Sequence, residues 1–291
     1  MAQAHSQAPD KYYVPHGTHW PIIGSVGLFI AFIGVSILLN GGSTAPVALL
    51  GAAILIVMMF LWFGEVIGES ERGTYNEQVD KSFRMGMMWF ILSEVMFFGC
   101  FFGALFYARQ LSLPWLGGEG SENVTNLFLW PGFENVWPSN GPARVGGEYE
   151  GMEAWGVPAL NTAILLTSGV TITLAHHALK AGQRTALAIW LGLTFVLGFT
   201  FLGFQIFEYT HAYFVLNLKL GSGIYGSTFY MLTGFHGLHV TIGAIMLTVI
   251  WLRCLRGHFT PTRHFAFEGV AWYWHFVDVV WLGLFIFVYW L

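Results

Sequence analysis

Charge is scarce in this sequence: Asp, Glu, Lys and Arg make up 10% of its 291 residues, against about a quarter in soluble globular chains. That scarcity excludes a soluble fold and marks a membrane protein. Basic residues are too few for a nucleic-acid surface, 12 against 16 acidic, so no strongly positive face is available to neutralise phosphates. Cysteine is nearly absent. Cys100 and Cys254 lie in or at the end of apolar runs, which leaves neither a disulfide framework nor a thiolate metal site. The last apolar run holds no lysine for a Schiff base, and the chain shows no phosphate loop and no nucleophile beside a base. What it has in quantity is 55% hydrophobic residues, with Gly 36, Phe 27 and Trp 13. Small residues let membrane helices pack closely and aromatics sit at the membrane interface.

A spanning helix needs about 20 largely apolar residues, and seven runs qualify: 21–39, 47–67, 85–108, 157–179, 186–209, 224–252 and 265–291. The predicted fold is an all-α integral membrane protein forming a single membrane domain over 1–291, without an internal repeat. The first run follows a polar segment, opens at Pro21 and is longer than a signal-peptide core, so it is expected to stay in the mature chain. Lys11, Arg72, Lys81, Arg84, Lys180, Arg184, Arg253, Arg256 and Arg263 fall on one side of the spans, against Arg109, Arg144 and Lys219 on the other. The positive-inside rule then places the N-terminus in the cytoplasm or its mitochondrial equivalent.

The connection 111–156 is long, rich in Gly, Pro and Trp, and carries Glu119, Glu122, Glu134, Glu148, Glu150 and Glu153 against Arg144 alone. Loops of this length are usually functional or partner-facing, though a solvated acidic loop is the simpler reading. Asn123-Val124-Thr125 fits the short glycosylation pattern.

Ionisable groups inside the hydrocarbon are expensive, so each is a functional candidate. Glu94 lies ten residues past Arg84, roughly 15 Å inward and near the centre of the bilayer. It reads as a carboxyl hydrogen-bonded inside the bundle, with proton handling or gating as the functional alternative. His275 and Asp278 are three apart and share a helical face, as do His236 and His239; both pairs read as structural ties, with a proton relay as the functional alternative for His275 and Asp278. His236 and His239 suggest a metal, with His176 and His177 as further ligands, but no Cys or carboxylate set at matching depth completes a site, and no metal is expected. Glu208 and His211 are expected at the outer interface, tied by a local hydrogen bond. Glu69, Arg253, Arg256 and His258 fall at inner headgroup level, flanked by Trp62 and Trp251, and basic groups there suit an anionic lipid phosphate. Gly99-x-x-x-Gly103 offers a close helix contact beside Glu94.

Several long motifs carry a resemblance that spacing alone does not give. They are Ser93-Glu94-Val95-Met96-Phe97-Phe98, Asn161-Thr162 through Ala175-His176-His177, Glu208-Tyr209, Tyr225-Gly226-Ser227-Thr228-Phe229-Tyr230, Thr233-Gly234-Phe235-His236-Gly237-Leu238-His239-Val240, and Phe267-Glu268 leading into Trp272-Tyr273-Trp274-His275-Phe276-Val277-Asp278-Val279-Val280-Trp281. Together they resemble subunit III of cytochrome c oxidase, densely over spans three to seven and thinly over the first two.

The resemblance implies a non-redox core subunit of a proton-pumping aa3-type oxidase in a bacterial or mitochondrial inner membrane. It implies no cofactor on this chain, with haem a and copper in partner subunits I and II and cytochrome c as donor. Spans one and two are then expected to splay from the other five around bound phospholipids. Trp62, Glu69, Arg253 and His258 match positions that contact lipid headgroups, and Glu94 matches the third-span carboxyl that carbodiimides modify in relatives. Two departures stand out: Gly73-Thr74-Tyr75 replaces a segment where many relatives carry histidine, and the outer loop, including Gly117 to Asn126, is longer than in compact relatives. Rival readings are the matching subunit of a quinol oxidase, a stand-alone seven-span receptor or transporter, and a metal-bearing redox subunit using His236, His239 and His275.

Overall fold

A computed structural model describes residues 17–43, 45–120 and 123–291, with the Asn123 side chain left aside. Lys11 of the basic count, Glu122 of the acidic loop and the Asn123 side chain of the glycosylation pattern lie outside the described residues. Seven helices are long and apolar enough to cross a membrane: α1 (Trp20–Leu39), α2 (Ala45–Glu71), α3 (Glu77–Leu116), α4 (Val157–Lys180), α5 (Arg184–Phe214), α6 (Gly223–Leu255) and α7 (Phe265–Trp290). No strand is present among the described residues.

The helices match the apolar runs, and the first six outlast them. α3 begins eight residues before the predicted 85 because Asn76 caps it, its Oδ1 accepting from the Val79 backbone N–H at 3.0 Å. Glu77 and Asp80 in the first turn also suit the positive end of the helix dipole. Lys81 and Arg84, expected in a connection, therefore stand on a helix. α5 runs five residues past the predicted 209, to Phe214. Wider π turns occur at Ala108–Ser112 in α3 and Phe285–Trp290 in α7.

Contacts group the chain into two units, one ending at Phe83 and the other running Arg84–Leu291. In the first, α1 and α2 form a hairpin that depends on two glycines. A Cβ at Gly34 would fall 2.6 Å from Ala48 Cα, and one at Gly51 would fall 2.6 Å from Ala31 Cα. Backbones that approach this closely tolerate only glycine. Trp20 Nε1 donates to Glu65 Oε2 at 2.5 Å, tying the start of α1 to α2. Gly51→Ala is expected to loosen this hairpin by about 1–2 kcal/mol through overpacking, read as a lower detergent-denaturation midpoint; an unchanged midpoint would contradict the close approach.

In the second unit α7 is the most buried span. Its Trp274 is fully buried, and it donates through Nε1 to Ser168 Oγ of α4 at 2.8 Å. The same indole lies against glycines of two more helices: a Cβ at Gly198 of α5 would be 2.7 Å from the ring, and one at Gly243 of α6 2.8 Å. Trp281, one face further along α7, donates to Thr162 Oγ1 of α4 at 2.9 Å and packs edge-on to Phe201 of α5 at 4.7 Å. Two indoles thus key four helices together.

The connection 111–156 is more than a solvated tether. Glu119, Glu134, Glu148, Glu150 and Glu153 are exposed, yet the backbone beneath them is docked. Glu150 N–H donates to Leu216 O at 3.0 Å, Tyr225 N–H to Ser139 O at 3.1 Å, and Asn217 Nδ2 to Glu148 O at 2.8 Å. Tyr149 stacks on Tyr225 at 5.7 Å, and burial together with that neighbour pushes the Tyr149 phenol up to about 12. The docking depends on Gly223, in the left-handed region at φ +64°, where a Cβ would meet the Asn140 backbone. Arg109 donates to the Leu291 carbonyl and lies over the Trp137 ring at 5.5 Å, tying the C-terminal ends of α3 and α7.

Candidate functional site

The central acid of the sequence, Glu94 on α3, meets His239 on α6, with Oε2 and Nε2 2.9 Å apart. His239 Nδ1 lies 2.7 Å from the Phe235 carbonyl of its own helix. A carbonyl only accepts, so Nδ1 carries a hydrogen, and in a neutral ring Nε2 is then an acceptor. The contact with Glu94 therefore requires one further hydrogen, held by the carboxyl or by the imidazole. Either way the pair carries no net charge, which is what a low-dielectric interior demands. Phe98 and Tyr273 pack on the His239 ring at 5.1 and 6.3 Å, and Tyr273 donates to the His239 carbonyl at 3.3 Å.

The same-helix pairs expected from the sequence resolve into ties between helices. His236, fully enclosed, donates through Nε2 to the Val277 carbonyl of α7 at 3.2 Å and sits between Phe201 and Trp281. It turns away from His239's partner. His275 Nε2 lies 3.3 Å from Thr173 Oγ1 of α4, whereas its Nδ1 is 3.8 Å from Asp278 Oδ2, too long for a hydrogen bond. Asp278 Oδ2 instead faces Gly169, where an added Cβ would lie 2.5 Å away. Glu208 corrects the expectation of a local bond to His211: it is buried and accepts from Tyr289 of α7 at 2.5 Å, while His211 is exposed. Tyr209, beside it, bonds Thr233 of α6 at 2.7 Å. The three histidines of the metal-redox reading thus engage three different partners.

A second correction concerns Gly99 and Gly103. A Cβ at either would have nothing within 4 Å, so the helix contact expected there is not made by the described residues of this chain.

The lipid candidates divide between the two units. In the first, Trp62 is exposed on α2, and Glu69 accepts from Tyr75 at 2.6 Å. In the second, Arg253 is buried near the end of α6 with its guanidinium 4.6 Å over the Phe259 ring, and the backbone N–H of His258 closes on Arg253 O at 3.1 Å. Trp251 donates to the Ala188 carbonyl of α5 at 3.0 Å.

One cluster was missed by sequence reasoning. His176, at the end of α4, and His264, just before α7, both bring Nε2 to 3.2 Å from Glu268 Oε1, and Arg84 pairs with Glu268 Oε2. His176 lacked a matching carboxylate when each span was read by itself; the fold supplies one from the first turn of α7 and a second imidazole from a connection.

The family model described as cytochrome c oxidase subunit III matches residues 10–121 and 132–291. Curated relatives named cytochrome c oxidase subunit 3 include that of Gadus morhua, 40% identical over 99% of this chain and 98% of its own length. Those of Dugong dugon and Marchantia polymorpha are also 40% identical, over 96% and 93% of this chain and 96% and 92% of their own lengths. The unmatched residues 122–131 overlap the stretch that reads as longer than in compact relatives.

Proposed function

The chain belongs to the cytochrome c oxidase subunit III family, a membrane component of a multi-subunit oxidase, and from that premise we propose that it is a non-redox core subunit of a proton-pumping aa3-type enzyme. On this reading it packs against catalytic subunit I beside copper-bearing subunit II. Haem a and copper belong to those partners, cytochrome c is the donor, and the complex lies in a bacterial or mitochondrial inner membrane with this chain's N-terminus on the cytoplasmic or matrix side. The observation that carries the reading is the family match over nearly the whole chain.

Physical features support it. The intramembrane ionisable groups Glu94, His236 and Glu208 each tie one helix to another, the arrangement expected of a rigid support. The open Gly99 and Gly103 surface lies on the same helix as Trp89, Met96 and Phe106, all exposed. Small residues beside large apolar ones suit a partner helix or lipid chains. Basic and aromatic groups at Arg253, Phe259 and His258 in one unit, and Trp62 with Glu69 in the other, suit phospholipid headgroups and the interface.

Mild-detergent purification through a tag on this chain, with an optical spectrum and mass spectrometry, tests the proposal. Haem a bands with two larger oxidase subunits are expected. A colourless preparation of this chain alone, from cells making the oxidase, would overturn it. Oxidase depleted of this chain is expected to keep its haem spectrum but lose activity progressively during turnover; loss of the haems themselves would contradict a non-redox role.

A further inference from the structure

The His176, His264 and Glu268 cluster has the donor chemistry of a metal site. Its three ligand atoms all lie within 4.8 Å of one another, two imidazole nitrogens and one carboxylate oxygen. His264 and Glu268 are buried and His176 is half-buried. The His264 Nδ1 lies 3.1 Å from the Thr260 carbonyl. As at His239, a carbonyl partner puts the hydrogen on Nδ1, so a neutral ring turns the Nε2 lone pair toward Glu268. An N–H to carbonyl bond of this kind is the usual outer-sphere support of a metal-bound histidine.

The distances fit as well. Ligands at about 2.0–2.1 Å from a tetrahedral zinc ion stand about 3.3 Å from each other, and both Nε2 to Oε1 separations are 3.2 Å. Both nitrogens are shielded from solvent and fall outside strict hydrogen-bond geometry, and each meets Glu268 Oε1 as an ion-pair contact at 3.2 Å. Arg84 occupies the other carboxylate oxygen, which fixes the direction in which Oε1 points.

We propose that His176, His264 and Glu268 form a structural site for a divalent cation of the zinc class, clasping the end of α4 to the start of α7. Two imidazoles and a carboxylate are ligands that zinc accepts in a tetrahedral shell, and three of them leave the fourth position open. The clasp joins two helices that Trp274 and Trp281 already key together deeper in the unit. It has no redox role, so it stands or falls independently of the haem and copper chemistry proposed for the partner subunits.

The test uses the intact complex carrying wild-type chain, His176→Ala or His264→Ala. Each preparation is equilibrated with zinc chloride, desalted, and measured for zinc and haem by elemental analysis and absorbance. The expected result is one more zinc per copy of this chain in wild type than in either variant, at equal haem content. The zinc-edge absorption difference should fit two imidazole nitrogens and one carboxylate oxygen. Equal zinc in all three preparations would overturn the site. If neither variant assembles, the wild-type zinc-edge spectrum decides: a shell containing two imidazoles and a carboxylate supports the site, and its absence refutes it.

Discussion

Trp274→Ala is expected to destabilise the Arg84–Leu291 unit by about 3–5 kcal/mol, the usual range for truncating a buried tryptophan. The reason differs from that in a soluble core. Lipid tails are as apolar as the side chain, so helices in a bilayer associate through packing and hydrogen bonds rather than through escape from water. Dispersion contacts are individually small but collectively large, and Trp274 concentrates them. One indole bonds Ser168 and fills the space opposite Gly198 and Gly243. Truncation leaves a hole at the meeting point of α4, α5, α6 and α7, which rigid helices cannot close. A denaturation series on the purified complex should show the loss, and a shift below about 1 kcal/mol would mean that the helices repack around it.

A double-mutant cycle sharpens this expectation. Gly198→Ala alone places a methyl 2.7 Å from the indole and should cost about 1–3 kcal/mol by overpacking. With Trp274→Ala already present the methyl enters vacated space, so the second change should cost nothing or recover stability. Such a change of sign is the signature of direct contact; additive costs would place the two effects in separate parts of the fold.

The sequence was most legible where a single physical constraint dominates. Bilayer thickness sets a minimum apolar length, and all seven spans follow from it. Boundaries were less legible because a helix need not stop where the apolar run does. Glu77, Asp80 and Lys81 are polar, but Asn76 caps the helix that carries them. The polar groups show the same division. Residues three apart do share a face, so pairing His236 with His239, His275 with Asp278 and Glu208 with His211 was reasonable from one strand of text. In a bundle, however, a face is shared with other helices. Val277, Thr173 and Tyr289 are the partners chosen: a backbone carbonyl, a hydroxyl and a phenol, none of which a search for intramembrane acids and histidines includes. The His176 cluster is hidden in the sequence for a related reason: His264 lies outside every predicted span, and depth within a span says nothing of a residue in a connection.

Glu94 gives the second large effect. Glu94→Leu is expected to cost about 1–3 kcal/mol, because it leaves His239 Nε2 without a partner among Phe97, Phe98 and Phe276, where an unmade hydrogen bond carries its full desolvation penalty. Glu94→Gln separates the two roles open to this carboxyl. The amide N–H can donate to Nε2, so the tie between α3 and α6 survives, but an amide neither takes up nor releases a proton at physiological pH. If Glu94 is a tie, the glutamine variant should match wild type in stability and in activity sustained over turnover, while the leucine variant loses both. A glutamine complex that is stable yet inactivates quickly would assign proton handling to the carboxyl instead. Replacing both partners with apolar residues, Glu94→Leu with His239→Phe, should cost less than the two single changes added together, since neither polar group is then left unsatisfied. That outcome is the one expected of a neutral pair sharing a single hydrogen, the state that the Phe235 carbonyl imposes by claiming the other imidazole nitrogen.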